Sequence, residues 1–151
     1  MQDRAGPGLT GSSVIVEPVR AIEHTASDQE RERLGLLAGE MVYRASSTRS
    51  HEGRVVFEEV VLPAALFPGL TNPIPSVSYL AEAAGLRLGE AVELISVAMA
   101  PTSIATALDV AEGAPVLKVD TVVYLREGRP AAWRTVHTTD WDRFAKLKAS
   151  L

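Results

Sequence analysis

The segment LGLLAGEMV, residues 34–42, returns as LDVAEGAPV at residues 108–116. Leu34, Gly39 and Val42 match Leu108, Gly113 and Val116 at an offset of 74. The tripeptide Glu-Gly-Arg at 52–54 returns at 127–129, an offset of 75. Around both copies the chain runs strand, helix, glycine, strand, Glu-Gly-Arg turn, strand. Any two β-α-β-β units look broadly alike. Three identities, an identical turn tripeptide and a single inserted residue favour duplication over that general likeness. Two copies cannot stack into a solenoid, and 151 residues suit one domain with one core. The expected fold is therefore α+β, with two pseudo-symmetric β-α-β-β halves. Their hairpins join one antiparallel sheet, and the helices pack on it. A cleft where related halves meet is a natural place for a small molecule.

Local signals give the elements. SVIVEPVRAIEHTA (13–26) is rich in β-branched residues and reads as a strand interrupted near Pro18. Ser27 and Glu30 have capping-box spacing and Gly39 supplies a stop, so a helix is expected over 28–37. Residues 41–49 and 54–62 make a hairpin about the first Glu-Gly-Arg turn. Pro63 ends the second strand, LPAALFPGL makes a short turn, and TNPIP (71–75) is loop. A helix is expected over 76–85, with Ser76 as N-cap and Gly85 beyond its end. Residues 86–99 read as a long strand, followed by a short helix with Pro101 in its first turn. Strands over 114–125 and 129–139 form the second hairpin, and the tail DWDRFAKLKASL continues as a strand or a frayed helix. Residues 1–12 read as a disordered leader or severed linker before a domain at 13–151.

Composition narrows the function. A net charge of −4 argues against a nucleic-acid surface, which needs a basic patch. With no cysteine there is no disulfide, thiolate chemistry or cysteine zinc site. His24, His51 and His137 lie far apart and show no metal-ligand spacing, and no cofactor motif stands out. No apolar run approaches the roughly 20 residues that span a bilayer. The polar, Gly-containing N-terminus lacks the apolar core of a signal peptide, so the expected location is the cytoplasm.

The helix ending in LGLLAGE, the Glu-Gly-Arg turn and FEEVVLPAALFPGL together resemble the first half of the UTRA domain. LDVAEGAPVLKVDTVVYLREGRP and the closing DWDRF resemble its second half, so the likeness covers roughly residues 14–146. UTRA domains are the effector-sensing parts of GntR-type, HutC-like bacterial transcription regulators, with a chorismate-lyase-like fold. The resemblance implies a domain that binds a small polar or anionic metabolite: an organic acid, a sugar phosphate or an amino-acid derivative. It also implies a homodimer that signals to a winged helix-turn-helix. Only about 13 residues precede the first expected strand, too few for that module. DNA contact is thus expected only through a separate or missing winged-helix domain.

The candidate site starts from VVFEEVV, residues 55–61. Strand alternation puts Val55, Phe57, Glu59 and Val61 on one face and Val56, Glu58, Val60 and Leu62 on the other. Each apolar face thus carries one glutamate, and a carboxylate there is costly unless paired. The resemblance selects Glu58 as the ligand-binding acid and leaves Glu59 as an outward or ion-pairing residue. It matches Arg49 to the second of two arginines in the family's first hairpin, while Ser47 stands at the first. Ser76 and Ser78 fall where the family has a serine at the start of a helix, and Ser76 also serves as N-cap. By the repeat offset, Trp133 is the counterpart of Glu58 and Arg134 that of Glu59. Trp133 suits an apolar ligand face or the core, and His137, near a family tyrosine, is a ligand donor or a structural histidine. The expected site is Arg49, Glu58, Ser76, Ser78, Trp133 and His137. Two alternatives remain: a chorismate-lyase-like enzyme using Glu59 and Arg134, and a dimerisation module with a degenerate pocket.

Overall fold

The computed structural model describes residues 14–15, 20–51, 54–70 and 76–142. The leader expected at 1–12, the Glu52-Gly53 turn, the TNPIP loop and the tail after 142 lie outside the described residues.

The first half comprises β1 (Val14–Ile15), β2 (Arg20–Thr25), α1 (Asp28–Leu34), β3 (Met41–His51) and β4 (Arg54–Pro63). α2 (Val77–Ala83) follows. The second half comprises β5 (Leu88–Met99), α3 (Thr102–Leu108), β6 (Pro115–Leu125) and β7 (Pro130–Thr138). All strand pairings are antiparallel, in the order β1-β3-β4-β7-β6-β5, with β2 also beside β3. β1 and β2, the described parts of the expected first strand, share β3 as partner.

α1 begins as its capping box dictates. Ser27 accepts the Glu30 N–H at 3.2 Å, and the Glu30 carboxylate accepts the Ser27 N–H at 2.8 Å. The helix ends at Leu34, short of the expected 37, because Gly35 already adopts the left-handed conformation at φ 63°. The first glycine able to turn the chain stops the helix. Gly39 has φ 88° and serves the turn into β3 instead. Pro101 sits at the N-cap of α3, one residue before the helix, rather than within its first turn.

The duplication is visible in the backbone. The bounds of α1 and α3, and those of β3 and β6, differ by 74 at both ends. The left-handed Gly35 corresponds to Asp109, which has φ 57° and is the non-glycine residue with positive φ among those described. The offset then grows twice. The second hairpin turn is one residue longer, so Arg54 corresponds to Arg129 at 75. Next, the β6–β7 register passes from Tyr124↔Pro130 to Val123↔Ala132 and skips Ala131. This bulge raises the offset to 76 for the rest of β7.

β4 and β7 are the central strands and join the halves, with Val56 opposite Thr138 and Val61 opposite Trp133. One sheet face carries α1 and α3, and each helix crosses over: α1 packs on β7 and α3 on β4. Leu34, Val42, Val61, Val122 and Trp133 form the core beneath α1. Ile104, Ala105, Leu108 and Val116 form the core beneath α3. On the opposite face Leu62, Phe67 and Ala132 pack with Leu66, Leu70, Val77 and Leu80 of the 64–70 turn and α2. That second cover reaches only part of the sheet.

The left-handed positions give a test. Left-handed backbone strains a residue with a Cβ, and Gly removes that strain. Asp109→Gly should stabilise the protein by about 0.5–1 kcal/mol, and Gly35→Ala should destabilise it by about 1 kcal/mol or more, in urea unfolding at neutral pH.

Candidate functional site

A cavity of about 590 Å³ opens on the partly covered face. Ala45, Ser47 and Arg49 reach it from β3, Glu58 and Val60 from β4, and Arg134 from β7. Thr121 and Val123 of β6, Ala91 and Glu93 of β5, and Ser76, Val77 and Ser78 complete the lining. A second cavity of about 520 Å³, beside the 64–70 turn, is lined by apolar side chains and Tyr79. Of these two, the first holds the charged and hydroxyl-bearing side chains.

Its centre is an ion triad. Glu58 is 8% exposed. One carboxylate oxygen meets the Arg49 guanidinium at 3.4 Å, and the other accepts a hydrogen bond from Arg134 Nε. The sheet register makes this contact: Arg134 lies opposite Val60, diagonal to Glu58 on the same face. Arg49 Nε is buried and finds no partner among the described residues. Glu58 thus uses a fraction of the ten N–H donors that two guanidinium groups present. The remainder suit a carboxylate or phosphate oxygen.

Four of the six expected residues, Arg49, Glu58, Ser76 and Ser78, line this cavity. Ser76 also caps α2, accepting the Tyr79 N–H at 3.2 Å. Trp133 and His137, expected beside them, face the other side of the sheet. Trp133 packs in the core beneath α1 and donates from Nε1 to Asp120 at 2.8 Å, with the Arg33 guanidinium 5.4 Å above its ring. His137 is buried opposite Lys118. The cause of the displacement is the bulge at Ala131. A one-residue slip in a strand moves every side chain to the opposite face. With the offset at 76, the counterpart of Glu58 is Arg134, and Trp133 turns into the core.

Glu59 has the separate explanation that alternation demanded. It accepts from Arg44 Nη1 at 2.8 Å on the helix face, and Arg44 also holds Glu30 at 2.9 Å. His24 completes the chain at 3.0 Å from Glu30. Burial pushes the Glu30 carboxyl upward. The Ser27 N–H, Arg44 and His24 together outweigh it and hold the group below the usual carboxylate range.

Sequence reasoning missed Arg134, Thr121 and Glu93 as lining residues. Alternation along AAWRTVHT was available, but its phase depended on the bulge. Glu93 sits in a strand with exposed residues on both faces, so no pattern marked which way it points.

The UTRA domain model matches residues 11–145. A search among curated proteins finds no match. Among solved structures, the ligand-binding domain of a GntR-family transcriptional regulator from Bordetella bronchiseptica is similar at 25% identity and TM-score 0.75. The match covers 89% of this chain and 86% of that one. The transcriptional regulator YydK of Bacillus subtilis is similar at 22% identity and TM-score 0.71, over 83% of this chain and 57% of that one. This chain thus spans little more than half the length of YydK. A GntR-family regulator from Enterococcus faecalis is similar at 22% identity and TM-score 0.74, covering 85% and 94%.

His137 gives a pH test. Burial first, then the Lys118 charge, lower its pKa, while Glu59 and Asp120 partly offset them. The folded state therefore favours neutral imidazole, and the unfolded chain binds the proton more readily below its ordinary pKa of about 6.5. Stability from this group is complete above that value and is lost as pH falls through the depressed folded pKa. Relative to His137→Gln, the native protein should lose stability between about pH 7 and pH 5, checked by urea unfolding across that range. A constant difference between the two proteins would contradict this. Family model and fold agree: the chain belongs to the UTRA domain family, with the fold of the ligand-binding domain of a GntR-family regulator.

Proposed function

We propose that this chain is the effector sensor of a bacterial transcription regulator and acts in the cytoplasm. Its cavity takes a small polar or anionic metabolite, drawn from the organic acids, sugar phosphates and amino-acid derivatives. The observation that carries this reading is the Arg49–Glu58–Arg134 triad on an open cavity of about 590 Å³. Bringing three charges together at a partly buried site costs desolvation that apolar packing would avoid. A ligand gives the arrangement a purpose, because the spare guanidinium donors and the Ser47, Ser76 and Ser78 side chains converge on one volume. Ser47 replaces one arginine on β3, and Arg134 supplies a second guanidinium from β7. DNA binding falls to a separate winged-helix module.

The lyase alternative draws on one observation. The repeat-equivalent pair is Glu58 with Arg134, inside the cavity, whereas Glu59 and Arg134 stand on opposite faces. Pyruvate release from chorismate would establish catalysis. The sensor reading expects no release and a rise in melting temperature with at least one metabolite. A ligand at a hundredfold excess over Kd stabilises by about 2.7 kcal/mol. Glu58→Gln and Arg134→Met should each abolish that rise. A degenerate pocket would show no rise with any compound.

The second copy of a homodimer fits β5. Its outer edge has no partner strand among the described residues. Val92, Leu94, Val97 and Met99 on it are 54–69% exposed. An edge of this length and apolarity invites pairing with another strand, and an antiparallel β5–β5 contact about a two-fold axis is self-complementary. Light scattering should report two chains for the native protein and one for Leu94→Lys/Val97→Lys. A monomeric native protein refutes the dimer.

A further inference from the structure

The charges of the cavity are segregated. Glu93 of β5 faces Thr121 of β6, and Thr121 faces Arg134 of β7. Arg134 faces Val60 of β4, which faces Ala45 of β3. These five residues form one row across the cavity face, and all five line the cavity. Neighbouring strands stand about 4.8 Å apart, which puts the Glu93 backbone roughly 10 Å from that of Arg134. At one end, two arginines share the single carboxylate of Glu58, leaving a net positive charge. At the other end, Glu93 is exposed and contacts the Thr121 hydroxyl at 3.5 Å. No cation lies within salt-bridge distance of Glu93 among the described residues. Arg134, the cation two strands away in the same row, is engaged by Glu58.

We infer that the effector is a zwitterion, with its carboxylate on Arg49 and Arg134 and its ammonium on Glu93 and Thr121. The inference rests on the sensor reading of this cavity and selects among the ligand classes named there. The lining carries two arginines and two glutamates, so its charges balance without a ligand. A phosphate monoester brings nearly two negative charges at neutral pH. It would satisfy the single excess positive charge and then meet the field of Glu93. A neutral polyol would leave both ends to water. A compact molecule with one group of each sign fits both ends and adds no net charge. Ala91 and Ala45, beside the two acids and the arginines, leave room for its carbon skeleton.

Glu93 is therefore the specificity-determining residue. Glu93→Gln keeps the size of the side chain and removes only its charge, so it should fold and assemble normally, with an unchanged melting temperature and an unchanged light-scattering mass without ligand as the controls. The test is calorimetric titration and thermal shift of the intact chain against four sets of probes. These are α-amino acids and short ω-amino acids, their N-acetyl derivatives, the amines lacking the carboxylate, and hexose phosphates. A zwitterion should bind, and its N-acetyl derivative should bind at least about tenfold more weakly, as expected for loss of a charged hydrogen bond. Glu93→Gln should weaken the zwitterion by a similar factor and leave the N-acetyl derivative unaffected. If only the N-acetyl derivatives, the amines lacking the carboxylate or the hexose phosphates bind, and Glu93→Gln leaves them unchanged or tighter, the zwitterion is wrong while the sensor reading stands. If no probe binds, both fall together.

Discussion

The antiparallel pairing of β4 with β7 is the contact on which the rest of this molecule depends. It joins two duplicated halves into one sheet. It also sets which residues of the two copies share a face. Glu58 lies beside Arg134 because Val60 stands opposite Arg134. The same pairing lets α1 reach across to β7 and α3 across to β4. Each helix packs across the junction onto the other half's central strand, so the fold and the cavity share one interface.

The two faces of that sheet do different work. The helix face uses its polar groups for structure: the Glu30–Arg44–Glu59 chain and the Trp133–Asp120–Arg33 cluster are satisfied internally. The opposite face is covered only in part, and its charged groups remain near solvent in a cavity. Glu59 also borders an opening, a smaller cavity of about 150 Å³ shared with Arg44, Lys118 and His137, and its side chain is 27% exposed. There one guanidinium, that of Arg44, already serves two carboxylates, Glu59 and Glu30. Beside the larger cavity two arginines share the one carboxylate of Glu58, and their spare donors are available to a ligand. Cavity size and that excess of donors, more than residue identity, separate Glu58 from Glu59.

Much of the fold was legible locally. Capping at Ser27 and the strand limits depend on neighbours in sequence, the repeat on two stretches read against each other, and these match to within about two residues. The helix end at Leu34 was misjudged because two glycines were available, and either could supply the left-handed turn. The site was legible in part. Arg49, Glu58, Ser76 and Ser78 precede any irregularity, so their placement followed from alternation, capping and the family likeness. Trp133 and His137 follow the bulge at Ala131, which inverts the phase of β7. Arg134 was therefore assigned to the wrong glutamate by one residue.

The sequence by itself determined that the chain is a duplicated α+β domain, and that Glu58 and Glu59 must have separate roles. Those conclusions rest on periodicity, which every residue carries with its position. Only the tertiary structure decided that Arg134, Thr121 and Glu93 meet Glu58 around one cavity, and that Trp133 belongs to the core. The reason is physical. Side-chain direction in a strand depends on parity, and one skipped residue in the β6–β7 register reverses it. Partnership between strands is set by their packing, across separations in sequence that no local pattern spans.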